Sequence, residues 1–245
     1  MPFEGTITSI HRMTPRVKQF VVEAEEAFDF EPGQHTTVRF ERDEPDDDED
    51  EQVVRPYTAT NTPGNDRITL AIKRYDDGTA SVYMHERAVG DTITLGELGG
   101  NLTLRDTDRD VVFVSTGTGI TPMIAMLKQY LEVGTGEAHF FYGEKNQENV
   151  MYRGTLDQLA AEHDELSVVY SLSDEEWPGP TGHIQDHLET VETVSTGIST
   201  SVASRGWSST RRTSSTNWAS TTTGCSPRGG KTARSRTETG RLPTG

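Results

Sequence analysis

Arg55-Pro56-Tyr57-Thr58 places a cation, an aromatic face and a hydroxyl within one extended segment. Arg55 has the charge to neutralise a phosphate, Tyr57 the face to stack on a planar ring, and Thr58 the hydroxyl to bond a ring edge. Further along, Thr116 leads into Gly117-Thr118-Gly119-Ile120-Thr121-Pro122, a glycine turn directly after the apolar run Val111-Val112-Phe113-Val114. Glycines there let backbone N–H groups approach a pyrophosphate at a helix N-terminus. Pro122 follows where a dinucleotide fingerprint would carry its third glycine, so the turn is not that fingerprint. Between the two stretches, Gly78-Thr79-Ala80-Ser81 is another glycine turn into a helix start and a second phosphate-binding candidate. Each motif alone reads as ordinary structure: a strand aromatic, a surface ion pair, a hairpin turn. Their order along one chain is what chance does not explain.

The elements that must position these residues fall into two halves. Residues 5 to about 105 read as short strands with turn punctuation: Thr6–Ile10, Lys18–Val22, Thr36–Phe40, Arg67–Ile72 and Thr92–Leu95. That spacing predicts an antiparallel barrel or sandwich, with a helix starting around Ser81–His85. From Arg109 the pattern becomes strand–helix alternation: strand Val111–Ser115, helix Thr121–Leu131, strand His139–Tyr142, helix Thr155–Ala161 and strand Leu166–Ser171. Such alternation predicts a parallel sheet flanked by helices, with ligands beyond the carboxyl ends of its strands. The fold class is therefore β followed by α/β. Residues 1–106 form the barrel domain, 107–193 an incomplete α/β domain, and 194–245 a tail without regular structure.

Composition bounds the function. The 245 residues carry a net charge of −16, which argues against nucleic-acid binding. Acid-rich, lysine-poor surfaces suit a salt-loaded cytoplasm, and the chain is read as halophilic, of haloarchaeal type. No apolar run reaches membrane-spanning length, and Met1-Pro2-Phe3-Glu4-Gly5 opens no targeting signal, so a cytoplasmic location and no membrane partner are expected. The single cysteine, Cys225, excludes a cysteine-ligated iron–sulfur cluster or thiolate zinc site in the chain as written, and no metal is expected. The acidic run from Glu41 to Glu51 reads as a solvated loop. His35, His85 and His183 read as structural or exposed rather than catalytic.

The charge is unevenly spread. Residues 1–193 hold 15 Lys and Arg against 38 Asp and Glu, whereas residues 194–245 hold 8 against 1. The basic tail, typified by Ser208-Ser209-Thr210-Arg211-Arg212-Thr213, has neither helical nor strand periodicity. Reading its codons displaced, so that each new codon takes the third base of one and the first two of the next, fixes most second and third bases. From Ser195 the displaced frame can read Asp-Gly-His-Phe-Tyr-Val-Cys-Gly-Val-Pro-Gly-Met and continue as an acidic amphipathic helix and a last short strand. A disordered basic tail is one reading of this segment; a slip of frame near Val194 is the other, and the preferred one.

With these motifs in this order, from about Gly5 to Glu189, the chain resembles the ferredoxin–NADP⁺ reductase superfamily, among its short FAD-dependent members without a fused iron–sulfur domain. Pro32-Gly33-Gln34 precedes the third strand. Arg55-Pro56-Tyr57-Thr58 matches the family's Arg-x-Tyr-Ser/Thr motif and Gly78-Thr79-Ala80-Ser81 its Gly-x-x-Ser motif. Gly117 to Pro122 and Phe141-Tyr142-Gly143-Glu144 follow. The resemblance implies an FAD-binding antiparallel barrel before an NAD(P)-binding domain, and hydride transfer between NAD(P)H and FAD. Electrons would then pass to ferredoxin or another small acceptor. It implies that Tyr57 stacks on the isoalloxazine, Thr58 lies near the flavin N5, and Arg55 contacts the FAD pyrophosphate. Pro56 belongs to the same motif, and Ile72, Lys73, Arg74, Thr79, Ala80 and Ser81 hold the rest of FAD. Thr116, Gly117, Thr118 and Gly119 receive NADH or NADPH. Tyr57 and Thr58, nearest the reacting ring, are the catalytic candidates. Glu144 and Asp174-Glu175-Glu176 against Lys145 and Arg153 lean toward NADH, with NADPH left open. The displaced Cys-Gly-Val-Pro-Gly-Met resembles the family's Cys-Gly-x-x-x-Met segment beside the nicotinamide, a wall that the chain as written lacks. A non-catalytic flavin-binding electron-transfer subunit and a disabled reductase are the alternatives.

Overall fold

A computed structural model of the chain describes residues 1–42, 51–190 and 198–202. Strands β1 (Phe3–Thr14), β2 (Val17–Glu23), β3 (His35–Glu41), β4 (Gln52–Thr58), β5 (Arg67–Lys73) and β6 (Thr92–Leu95) form one antiparallel sheet in the order β4-β3-β6-β1-β2-β5. Alternate residues such as Phe20 and Val22, or Ile68, Leu70 and Ile72, turn inward to one core, the period-two pattern of a half-buried strand. The outer strands meet: Ala59, just past β4, bridges Leu70 of β5, and the Thr60 N–H donates to the Thr69 carbonyl at 2.9 Å. The sheet thus closes as a barrel, as the strand spacing predicts. Helix α1 (Thr79–His85) follows β5 and packs on β4 and β5.

The second half alternates β7 (Val111–Thr116), α2 (Ile120–Val133), β8 (Ala138–Glu144), α3 (Arg153–Glu162) and β9 (Leu166–Leu172). The strands are parallel, with Ser115 opposite Tyr142 and Tyr142 opposite Tyr170. Near-continuous burial along β7 and β8 follows from cover on both faces. Phe113 and Phe140 pack with Ile120, Met123 and Leu127 of α2 on one side, while Val112, Val114 and Phe141 meet Ile184 on the other.

A further strand, β10 (Ile198–Val202), pairs in parallel with the opposite edge of β7, giving the order β10-β7-β8-β9. These five residues depart from the expectation of no regular structure beyond residue 193, because parallel pairing needs only the backbone groups that any sequence supplies. The remainder of the tail, with the proposed change of frame, and the acidic run at 43–50 lie outside the described residues.

The halves are joined by packing and by a polar chain. Val17 and Ala71 of the barrel belong to the core built around α2. Gln19 Nε2 donates to the Tyr152 hydroxyl at 3.2 Å, which donates to Thr60 Oγ1 at 3.0 Å, and that hydroxyl donates to the Thr69 carbonyl at 3.1 Å. Lys128 of α2 donates to the Thr60 carbonyl at 3.3 Å. Thr60 stands two residues past Thr58, so the Arg55–Thr58 segment is pinned directly to the second half.

Candidate functional site

β4 carries the first motif on the barrel rim, with Arg55 and Pro56 exposed and Tyr57 and Thr58 half-buried. The Arg55 guanidinium donates to its neighbour's carbonyl, that of Val54, at 2.9 Å. Tyr57 packs by one side on the barrel core. Burial pushes its hydroxyl up to about 12; Arg55 opposes and Tyr75 reinforces the shift, so both lie near Tyr57. A neutral phenol with a partly open face beside an exposed guanidinium fits a planar ring joined to a phosphate.

β5 and α1 supply the rest of this half. Lys73 is half-buried and Arg74 exposed at the end of β5. The Ile72 side chain lies in the barrel core, and its carbonyl accepts from His85 Nε2 at 2.8 Å, so this residue builds the rim without presenting a side chain to it. Ser81 is buried too: its hydroxyl accepts the Tyr75 N–H at 3.1 Å and donates to the Gly78 carbonyl at 3.3 Å. Ser81 and the buried Ala80 therefore shape the turn. The first-turn N–H groups of α1, from Thr79 on, are what the turn offers to an anion, since the Gly78 N–H donates to the Tyr75 carbonyl at 3.1 Å. A side chain at Gly78 would run into the Ser81 hydroxyl and Tyr75 Cβ, so only glycine allows this turn.

In the second half, Thr116 ends β7 and Gly117–Gly119 form a single tight turn into α2. Gly117 has φ +54°, a left-handed conformation that glycine adopts without strain. The Gly117 carbonyl accepts from the Tyr142 hydroxyl at 3.1 Å, and Tyr142 also lies 3.1 Å from Glu144 Oε1. Burial raises Glu144 above the ordinary carboxylate range, more than its hydrogen bonds and the nearby Lys73 and Lys145 lower it. Lys73 belongs to β5 of the barrel, and β5 packs against the Gly117–Gly119 turn. The two candidate half-sites therefore face each other across the domain junction.

Past the ends of β8 and β9 a rim of fixed charge continues the second half-site. Glu175 accepts from the Gln147 backbone N–H at 2.8 Å and from its side-chain Nε2 at 2.6 Å. Lys145 pairs with Asp174 at 3.8 Å. Arg153 lies over the Tyr170 and Trp177 rings and pairs with Asp157 at 3.7 Å. Among the described residues no group of three or more His, Cys, Asp or Glu is placed to hold a metal ion. No helix among them is long and apolar enough to cross a membrane.

The structure links the Arg55–Thr58 segment to the Gly78 turn through Tyr75, and sets β5 against the Gly117–Gly119 turn. What the sequence reading missed is the joinery: Tyr142 and Glu144 as supports of the glycine turn, Tyr75 beside Tyr57, and Thr60, Lys128 and Tyr152 as the domain latch. The Phe-Tyr-Gly-Glu stretch signals the first of these; the others arise only from tertiary contact.

A closed antiparallel barrel carrying an Arg-Pro-Tyr-Thr rim, set against a parallel sheet with a glycine turn at its carboxyl edge, defines a two-domain flavin and nicotinamide nucleotide protein. Residues 4–101 match the oxidoreductase FAD-binding domain and residues 113–202 the oxidoreductase NAD-binding domain. The chain belongs to the ferredoxin–NADP⁺ reductase family of oxidoreductases. It is 31% identical over 197 residues to Ferredoxin–NADP reductase B of Sorangium cellulosum, covering 76% of this chain and 77% of that one. It is 34% identical over 146 residues to the ferredoxin reductase component of 3-ketosteroid-9-alpha-monooxygenase of Mycolicibacterium smegmatis, covering 58% of this chain but 40% of that protein. Several other relatives are likewise matched over less than half their length. In fold it is similar to a ferredoxin NADP⁺ reductase from Neisseria gonorrhoeae solved with bound FAD and NADP. The TM-score is 0.70 at 19% identity, with 83% of this chain and 86% of that chain covered.

Proposed function

We propose that this protein is a flavin-dependent oxidoreductase that takes hydride from a nicotinamide nucleotide and passes electrons to ferredoxin or another small acceptor. The observation that carries the reading is the meeting of β5, which ends at Lys73 with Arg74 following, with the Gly117–Gly119 turn. That contact sets the proposed flavin and nucleotide seats against each other. Bound FAD would supply a ring that accepts hydride and gives electrons up singly. The protein's part is alignment, so hydride transfer needs no acid–base pair from it. Arg55 and the α1 turn would hold the flavin's phosphates, Tyr57 its ring and Thr58 the ring edge. Thr116 to Gly119 would hold the pyrophosphate of the nucleotide. The relatives' names, ferredoxin reductases and reductase components, favour a ferredoxin-like acceptor.

The nucleotide favoured is NADH. A 2′-phosphate at the β8–β9 rim would meet Glu175, anchored through two hydrogen bonds by Gln147, while Lys145 and Arg153 are already engaged by Asp174 and Asp157. The acid-rich composition supports a salt-adapted, haloarchaeal-type, cytoplasmic protein. The domain limits at 106 and 193 follow the change of element pattern. A displaced frame from Ser195 would read Phe-Tyr-Val-Cys-Gly across 198–202, a strand sequence at the position of β10 and next to the glycine turn. In this reading the printed tail replaces the segment that walls the nicotinamide, and the product holds FAD better than it turns over NAD(P)H.

Steady-state oxidation of NADH and NADPH with an artificial one-electron acceptor tests the proposal, on the printed chain and on the chain with its frame restored. The expected result is oxidation that depends on bound FAD. It should run faster in the restored chain and favour NADH by about tenfold or more, the worth of one unfavourable charge contact. Equal rates in the two chains would overturn the frame reading, and a preference for NADPH would overturn the role of Glu175.

A further inference from the structure

The Tyr142 hydroxyl lies between two acceptors, the Gly117 carbonyl and Glu144 Oε1, each at 3.1 Å. A phenol has one proton to give. Tyr142 is 1% exposed, so water is a poor substitute on the losing side. An ionised Glu144 would leave one pair of oxygens facing each other with no hydrogen between them. A protonated Glu144 resolves this: the acid donates to Tyr142, and Tyr142 donates to Gly117. Burial of Glu144 works in the same direction.

The far end of this chain is the nucleotide turn. Planarity of the peptide bond means that fixing the Gly117 carbonyl also fixes the Thr118 N–H, pointing the opposite way. The carbonyl accepts from both buried Tyr142 and the Ile120 N–H, so the Thr118 N–H is turned away from these two donors. Space is not what demands glycine at 117, since a Cβ there would stand 3.8 Å from Glu144 Oε1; the left-handed backbone does.

We propose that Glu144 is a positioning residue for the nicotinamide nucleotide, acting through Tyr142 on the Gly117–Thr118 peptide, and that its protonated form is the one that binds. The proposal rests on the reading that the pyrophosphate sits at Gly117–Gly119. Ionisation of Glu144 weakens binding twice, by setting a carboxylate near a pyrophosphate and by releasing the Tyr142 proton from Gly117. The groups around the carboxyl are few. Lys73 faces it from β5, while Tyr142 belongs to its own strand and Lys145 directly follows it. Tyr152, at the start of α3, acts on Tyr142. β9 presents Leu172 opposite it and no titratable side chain at that register. Asp186 and His187 stand on the Ile184–Thr190 turn that packs on β8.

Calorimetric titration of the FAD-loaded protein with ADP-ribose, which carries the pyrophosphate without the nicotinamide, tests this between about pH 5 and about pH 8. In the unsubstituted protein the dissociation constant should rise about tenfold with pH. Glu144→Gln keeps a donor for Tyr142 and has no charge, so it should bind at the low-pH affinity throughout. Tyr142→Phe should weaken binding about fivefold at low pH, the worth of one hydrogen bond, and little at high pH, where the bond to Gly117 is already lost. If Glu144→Gln follows the same pH curve as the unsubstituted protein, the proposal is overturned. Gly117→Val separates this failure from that of the underlying reading. If it alone weakens binding, the seat stands and the role of Glu144 falls. If ADP-ribose binds equally to all variants, the seat itself is elsewhere.

Discussion

Tyr57 keeps its proton at any ordinary pH, because burial holds its hydroxyl near 12 against the pull of Arg55. It therefore presents a neutral ring to whatever lies on it, and activity should show no ionisation from this group in the neutral range. Glu144 is the opposite case, a carboxyl whose charge the fold resists. Its folded form holds a proton that the unfolded chain has released, so its contribution to stability is full below the ordinary carboxylate range and is lost as pH rises through the raised folded value. Glu144→Gln should thus raise the melting temperature by a few degrees at about pH 8 and leave it unchanged at about pH 4, read by thermal unfolding. A lower melting temperature at pH 8 would mean that the charge is stabilising. Arg55, Tyr57 and the two glycines were legible in the sequence because residue type and spacing alone mark them. The Glu144–Tyr142–Gly117 chain was not, since it exists only once β7 and β8 pair with Ser115 opposite Tyr142.

At the scale of elements, hydrophobic alternation located most strands of the barrel, and the switch to buried runs located β7, β8 and β9. β4 was seen only as an extended segment, because Arg55, Pro56 and Tyr57 interrupt the apolar pattern that marks the other strands. The site residues hide the strand that carries them. The latch at Thr60 left no sequence signal either, since its partners Lys128 and Tyr152 come from the other domain. Tyr152 enters α3 with φ +56°, uncommon for a residue with a side chain, and the bonds of its hydroxyl to Thr60 and Gln19 hold it there. Tyr152→Phe should cost about 1–2 kcal/mol in urea unfolding, the worth of buried hydrogen bonds lost without replacement. A variant as stable as the parent would show that apolar packing alone joins the domains.

At the scale of the whole molecule, two independently built cofactor seats are useful only if they face each other at a fixed distance. The shared core around α2, the Thr60 latch and the packing of β5 on the Gly117–Gly119 turn supply that constraint. The order of the motifs made this arrangement legible in outline, but their approach depends on how two separate cores dock, which no local pattern encodes. Anaerobic titration of the purified, frame-restored protein with NADH, followed through the visible flavin spectrum, tests the central claim most directly. The account predicts about one FAD per chain and bleaching of its absorption by about one equivalent of NADH, with the printed chain holding FAD but bleaching more slowly. Protein that holds no flavin, or flavin that neither NADH nor NADPH bleaches, would contradict it.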